Sequence, residues 1–227
     1  MKVIILAGGL GTRLPEYTKS IPKPMINIKG KPIIRRIIEH YKKYNYKNFI
    51  IASGYKGKII KNYFKKNFSN KDIKVIDTGK STMTGGRIKR LETIIGNERF
   101  MLTYGDGISD INLKKLLNFH KKNKNIITLT AVRPPARFGG IKLVGSKVKY
   151  FKEKSRLDEG WINGGFMIIE PEIFQFLTDD STIFERDPLE RICRKNKLGA
   201  YKHNGFWQCM DTIRDKEILE KNISKKS

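Results

Sequence analysis

The sequence holds only two cysteines, Cys193 and Cys209, among 227 residues. That is too few for a disulfide framework or a thiolate metal site, and it fits a reduced compartment. Histidine is nearly as scarce. His40, His120 and His203 have no metal-ligand partner at a useful spacing, so surface or packing roles are expected for all three. The first apolar run, Val3 to Leu6, follows one lysine and ends at glycines, which excludes a signal peptide or membrane anchor at that point. A cytoplasmic protein with no membrane partner is the expectation. Acidic side chains are also in short supply, 22 Asp and Glu against 47 Lys and Arg, for a formal charge of +25 and an isoelectric point near 10.0. Such a balance invites a nucleic-acid partner. The lysines are spread along the whole chain, however, and no DNA- or RNA-binding motif accompanies them, so no specific nucleic acid is expected.

The chain is long enough to bury a sizeable core and is expected to form one domain over residues 1–227. Strand patterns alternate with helical ones, which predicts an α/β fold. Strands are expected at Val3 to Leu6, Asn48 to Ala52, Asp72 to Asp77, Phe100 to Tyr104, Ile126 to Val132 and Met167 to Glu170. Between the first two, Ile33, Ile34, Ile37, Ile38, Tyr41 and Tyr44 recur at helical spacing, with Pro32 expected in the first turn.

The stretch Leu6-Ala7-Gly8-Gly9-Leu10-Gly11-Thr12-Arg13-Leu14 leaves the C-terminal end of the first strand, where open α/β sheets bind ligands. Its glycines allow positive φ and bring bare N–H groups against something bulky and negative, such as a phosphate. Arg13 and Lys23 add two cations, and Pro22 and Pro24 restrict the backbone around Lys23. A dinucleotide fingerprint fails because Leu14 stands where its third glycine belongs, and no Gly-Lys-Ser/Thr completes a Walker loop. A purely structural turn leaves Arg13 and the Pro-Lys-Pro unit without a purpose.

Four later stretches are candidates with plainer alternatives beside them. Thr82-Met83-Thr84-Gly85-Gly86-Arg87 puts hydroxyls and glycines at a helix start, which suits an anion or a flat ring, although Thr84 also serves as an ordinary cap. Gly105-Asp106-Gly107 sets an acid at a strand end with space around it, which suits a divalent cation, although turn-forming Asp is common. Glu153-Lys154 with Asn163 and Gly164 suits a hydroxylated, phosphorylated substrate, and a solvent-exposed strand end explains the pair as well. Asp211 stands at a strand-to-helix boundary, as a second acid or as a plain N-cap.

The opening loop with Lys23 resembles the signature of the nucleotide-sugar pyrophosphorylases. Asp77-Thr78-Gly79, Thr82 to Arg87, Thr103-Tyr104-Gly105-Asp106-Gly107, Arg137-Phe138-Gly139, Trp161 to Phe166 and Gly205 to Thr212 narrow the resemblance to the glucose-1-phosphate cytidylyltransferases, over nearly the whole chain. The resemblance implies a Rossmann-like, mixed and mostly parallel sheet flanked by helices. Residues 1–110 would serve mainly the nucleotide and residues 111–227 mainly the sugar phosphate. It implies CTP and a sugar 1-phosphate as substrates, Mg²⁺ as cofactor, and a role in surface-sugar synthesis. Leu6, Ala7, Gly8, Gly9, Leu10, Gly11, Thr12, Arg13 and Lys23 would hold the triphosphate, and Thr82, Gly86, Arg87 and Gly105 would lie at the nucleotide. Asp106 and Asp211 would ligate the metal. Gly139, Glu153, Lys154, Asn163 and Gly164 would hold the sugar phosphate, with Arg13, Lys23 and Lys154 acting in catalysis. The chain departs from the family pattern in being shorter between Phe68 and Asp72, a region implied in subunit contacts of a possible homo-oligomer. It also has Ser155 after Lys154, where proline is usual.

Overall fold

The computed structural model describes residues 1–68, 72–134, 140–152 and 160–224. Its centre is a seven-stranded sheet of β1 (Val3–Ala7), β2 (Phe49–Ser53), β3 (Ile73–Asp77), β4 (Phe100–Tyr104), β5 (Ile127–Val132), β6 (Ile162–Ile169) and β7 (Leu198–His203). The spatial order is β7-β5-β6-β4-β1-β2-β3. β1 runs parallel to β2 and β4, β2 to β3, and β5 to β7, while β6 lies antiparallel between β4 and β5. The sheet is therefore mixed and mostly parallel, with helices on both faces.

Alternation along the strands divides the core in two. Val3, Ile5 and Ala7 face one cluster, together with Ile33, Ile34, Ile37, Ile38 and Tyr41 from helix Ile33–Lys42. Ile4 and Leu6 face the other, with Ile88, Leu91, Ile95 and Phe174. Every residue of β1 and β2 is buried, which explains why both read as unbroken apolar runs. Pro32 sits one position earlier than expected. Its ψ of 142° keeps it extended, in a two-residue ladder of Asn27–Ile28 with Lys31–Pro32, and the helix begins at Ile33. His120 is a packing residue, 1% exposed, with its ring nitrogens on Thr128 Oγ1 and Glu170 Oε1.

Register places the chemistry. Ala7 lies beside Ser53, and Leu6 beside both Ala52 and Tyr104, so the loops after β1, β2 and β4 leave the same sheet edge. A separate ladder pairs Trp207–Cys209 with Gly107–Ser109. Met210 N–H then donates to the Asp106 carbonyl at 2.9 Å. This small ladder brings the C-terminal part of the chain to the loop after β4.

Ile5 is fully buried at the centre of this arrangement. Ile5→Ala is expected to destabilise the protein by about 2–5 kcal/mol through lost apolar contact and an incompletely closed cavity. Urea unfolding should show a lower midpoint with an unchanged slope.

Candidate active site

A cleft of about 340 Å³ opens at the shared sheet edge. Leu6, Ala7, Gly8, Gly9, Gly11, Thr12, Arg13, Lys23, Thr82, Arg87, Gly105 and Asp106 all line it. Leu10 and Gly86 do not. Leu10 is 48% exposed, and Gly86 packs on Asp180, where a Cβ would meet backbone at 2.6 Å. Gly11 has φ +67°, and a Cβ there would lie 2.8 Å from Thr18 Cγ2, so the turn admits only glycine without strain.

Lys23 occupies the first position of a short 3₁₀ turn, Lys23–Met25, between the two prolines. Only 8% of it is exposed. Its Nζ donates to Asp106 Oδ2 and to Asp211 Oδ1, each at 2.6 Å, while Arg13 Nη1 donates to Asp211 Oδ2 at 2.8 Å. Burial works against the Lys23 ammonium most strongly, yet Asp106 and then Asp211 outweigh it and hold its pKa above the usual lysine value. Burial likewise pushes the Asp211 carboxyl up, and Lys23, followed by Arg13, brings it below the ordinary range.

Asp211 is available for this because it is not the helix cap. Thr212 Oγ1 accepts from Asp215 N–H at 3.2 Å, and the Asp215 carboxylate accepts from Thr212 N–H at 2.9 Å and from Asp211 N–H at 3.1 Å. A Thr with an acid three residues on is a capping box. It closes the start of helix Ile213–Ser224 and leaves the Asp211 side chain free to pair with Lys23 and Arg13.

Arg87 does more than border the cleft. Its guanidinium donates to the carbonyls of Gly8 (2.9 Å), Gly79 (2.7 Å) and Ser53 (3.2 Å) and to Thr78 Oγ1 (2.8 Å). It ties the glycine loop to the loops after β2 and β3. A Cβ on Gly8 would fall 2.2 Å from Arg87 Cζ, so the glycine is needed for this approach. Burial lowers the guanidinium's pKa from its usual value.

The start of helix Thr84–Lys89 is not an open anion site. Gly85 and Gly86 N–H both donate to the Thr182 carbonyl, and Met83 N–H donates to that of Asp180. Thr84 makes no cap. Its hydroxyl accepts from Phe184 N–H and donates to Glu185 Oε2 at 2.6 Å.

An adjoining cleft of about 310 Å³ is lined by Asn163 and Gly164 together with Arg13, Asp106 and Asp211. Gly139, Glu153 and Lys154 lie outside the described residues. Trp207, absent from the sequence candidates, lines this cleft and donates from Nε1 to the Gly164 carbonyl at 2.8 Å. Tyr104 lines both clefts. Its hydroxyl donates to Glu185 Oε1 at 2.5 Å, and burial, then the Glu185 charge, raise its pKa well above the usual phenol value. Adjacency to Asp106 was the available signal for Tyr104, whereas nothing in the sequence marked Glu185. Cys209, pushed up to about 12 by burial and then by Asp211, stays a thiol and is no nucleophile.

Among the described residues no group of three or more His, Cys, Asp or Glu converges. Asp106 and Asp211 do share one cation, the Lys23 ammonium. Two hard oxygen donors beside a phosphate-sized cleft fit Mg²⁺, which keeps several waters and takes its other ligands from phosphates.

Residues 2–215 match the family described as nucleotidyl transferase. The chain is 42% identical to the glucose-1-phosphate cytidylyltransferase of Salmonella typhi, covering 97% of this chain and 95% of that protein. It is 39% identical to the probable glucose-1-phosphate cytidylyltransferase of Bacillus subtilis, covering 98% and 95%. Among solved structures, HddC from Yersinia pseudotuberculosis complexed with GMP-PN superposes with a TM-score of 0.77 at 27% identity, over 98% of this chain and 99% of that one. The chain belongs to the nucleotidyl transferase family, whose enzymes act with a divalent metal.

If Arg87 ties the loops together, Arg87→Lys should destabilise the ligand-free protein by about 1–3 kcal/mol, because one ammonium cannot reproduce the fan of hydrogen bonds to Gly8, Ser53, Thr78 and Gly79. Thermal unfolding without nucleotide measures this. Unchanged ligand-free stability with loss of nucleotide binding alone would make Arg87 a ligand contact instead.

Proposed function

We propose that this nucleotidyl transferase moves CMP from CTP to glucose 1-phosphate, producing CDP-glucose and pyrophosphate. The observation that carries this is the ion-paired cluster of Arg13, Lys23, Asp106 and Asp211 where two adjoining clefts meet, in a chain so similar over its length to two glucose-1-phosphate cytidylyltransferases. The proposal places the enzyme in the cytoplasm, where nucleoside triphosphates are available. No helix of the described residues is long and apolar enough to cross a membrane.

In the reaction an oxygen of the sugar phosphate forms a bond to the α-phosphorus of CTP. The bond from that phosphorus to the bridging oxygen breaks, and pyrophosphate leaves with the electron pair. The attacking phosphate is already largely ionised at neutral pH because its second pKa is about 6, so no general base is required. This accounts for a cleft without a catalytic histidine or cysteine.

The difficulty is bringing two anions into line. In this proposal Gly8, Gly9 and Gly11 bring bare backbone to the triphosphate, and Arg13 and Lys23 neutralise pyrophosphate as it departs. Asp106 and Asp211 would hold Mg²⁺, which when bound supplies charge neutralisation at the α-phosphate. Thr82, Arg87 and Gly105 border the nucleoside. Lys154 holds the acceptor phosphate, while Glu153, Asn163, Gly164 and Gly139 receive the sugar. Residues 1–110 carry most of the nucleotide side and residues 111–227 most of the acceptor side.

Pyrophosphate release with Mg²⁺ should be fastest for CTP with glucose 1-phosphate among CTP, dTTP, UTP, GTP and ATP paired with a panel of sugar 1-phosphates. Preference for another nucleotide or acceptor would redirect the assignment, and no release from any pair would overturn it. Asp211→Ala should lose at least 100-fold in kcat/KM, equivalent to about 2.7 kcal/mol of transition-state stabilisation.

A further inference from the structure

In the ligand-free protein both acids assigned to the metal are already neutralised, and by the protein itself. Lys23 Nζ stands 2.6 Å from Asp106 Oδ2 and 2.6 Å from Asp211 Oδ1, and Arg13 Nη1 occupies the second Asp211 oxygen at 2.8 Å. Two cations balance two carboxylates. The Lys23 side chain is only 9% exposed and those of Asp106 and Asp211 are 27% and 19% exposed, so none of the three is freely exchanged for water. Removing one partner from such a cluster leaves an uncompensated charge with little solvent to relieve it.

We propose that Lys23 is the resident counter-ion of Asp106 and Asp211, and that the divalent metal therefore enters only with the nucleoside triphosphate, which draws the lysine away. The proposal rests on the metal assignment made under the proposed function. Mg²⁺ binds carboxylate oxygen at about 2.0–2.1 Å and tolerates no ammonium among its ligands. The ion and Nζ thus compete for the same oxygens. A metal arriving alone must push a buried ammonium into a cleft whose described lining holds no acid besides Asp106 itself. A metal arriving on a triphosphate brings the replacement partner with it.

The lysine is built to make that exchange. Its backbone is held in the 3₁₀ turn between Pro22 and Pro24, while its four-carbon stem rotates freely enough to move the charge. The stem begins against the glycine loop: a Cβ on Gly11 would lie only 3.1 Å from Lys23 Cβ. Lys23 and Asp106 also border the same cleft as Gly8, Gly9 and Gly11. One side chain can therefore serve the acids in the empty site and a phosphate in the filled one. By linkage, metal and nucleotide must each strengthen the binding of the other by the same factor.

The test measures Mn²⁺ binding to the full chain without nucleotide, by electron paramagnetic resonance of the free ion. Wild type should bind Mn²⁺ at least tenfold more weakly than Lys23→Met, which removes the charge and keeps the stem. Lys23→Arg, which keeps a cation, should resemble wild type. Mn²⁺ alone should raise the Tm of Lys23→Met and leave that of wild type unchanged, and Asp106→Asn added to Lys23→Met should abolish the rise. Equal Mn²⁺ affinity in wild type and Lys23→Met would overturn the proposal, as would a folded Lys23→Met that binds no Mn²⁺. If Lys23→Met fails to fold, Lys23→Gln takes its place, and Mn²⁺ affinity equal to that of wild type in that variant sinks the exchange, whereas affinity at least tenfold higher supports it. The substrate assignment fails separately, by absence of pyrophosphate release, and leaves the Mn²⁺ contrast standing.

Discussion

One ammonium group holds the two halves of the site together. Lys23 comes from a turn near the start of the chain, Asp106 from the loop after β4, and Asp211 from the approach to the last helix. They are 83 and 188 residues from Lys23, yet both carboxylates lie 2.6 Å from it. Two close acids without a cation between them would repel, and each would tend to stay protonated. The lysine makes the pair tolerable in a largely buried setting. The sheet edge, the small ladder and the capping box hold those three elements in register.

The holding is done by backbone. β1 and β4 are neighbours in the sheet, so the glycine loop and Asp106 leave the same edge. The ladder of Gly107–Ser109 with Trp207–Cys209 fixes where Asp211 arrives, and the Thr212–Asp215 capping box frees its side chain. Arg87 then secures the glycine loop by donating to the carbonyls of Gly8 and Gly79 at once. An arginine suits this because its guanidinium offers several donors in a fixed plane and keeps its charge when buried.

A second connection crosses between the clefts. Glu185 accepts from Tyr104 on β4 and from Thr84 at the start of helix Thr84–Lys89. Thr84 and Tyr104 both line the larger cleft, so this carboxylate fixes two residues of its wall relative to each other. The formal charge of +25 attracts both anionic substrates from a distance, but it does not distinguish them.

Local physics made much of this legible in the chain alone. Unbroken apolar runs announced β1 and β2, helical spacing announced Ile33–Lys42, and glycines beside Arg13 and Lys23 announced an anion cradle. Each of these depends on neighbours a few residues apart, and a sequence displays such neighbours directly. Asp106 and Asp211 were ambiguous for the opposite reason. A turn former or a helix cap looks the same in sequence as a metal-binding acid; the strand ladder brings the two acids together, and the capping box shows that the Asp211 side chain is not the cap. Gly85 and Gly86 looked free to bind an anion until the Thr182 carbonyl was found on their N–H groups. Arg87, Tyr104, Trp207 and Glu185 acquired their partners through packing across 8 to 101 residues of chain. The sequence by itself determined the strands, the charge and the glycine loop with its two cations. Which acids meet, which donors remain open and which cation stands between the carboxylates were decided by tertiary structure, because those properties depend on distances that no local pattern encodes.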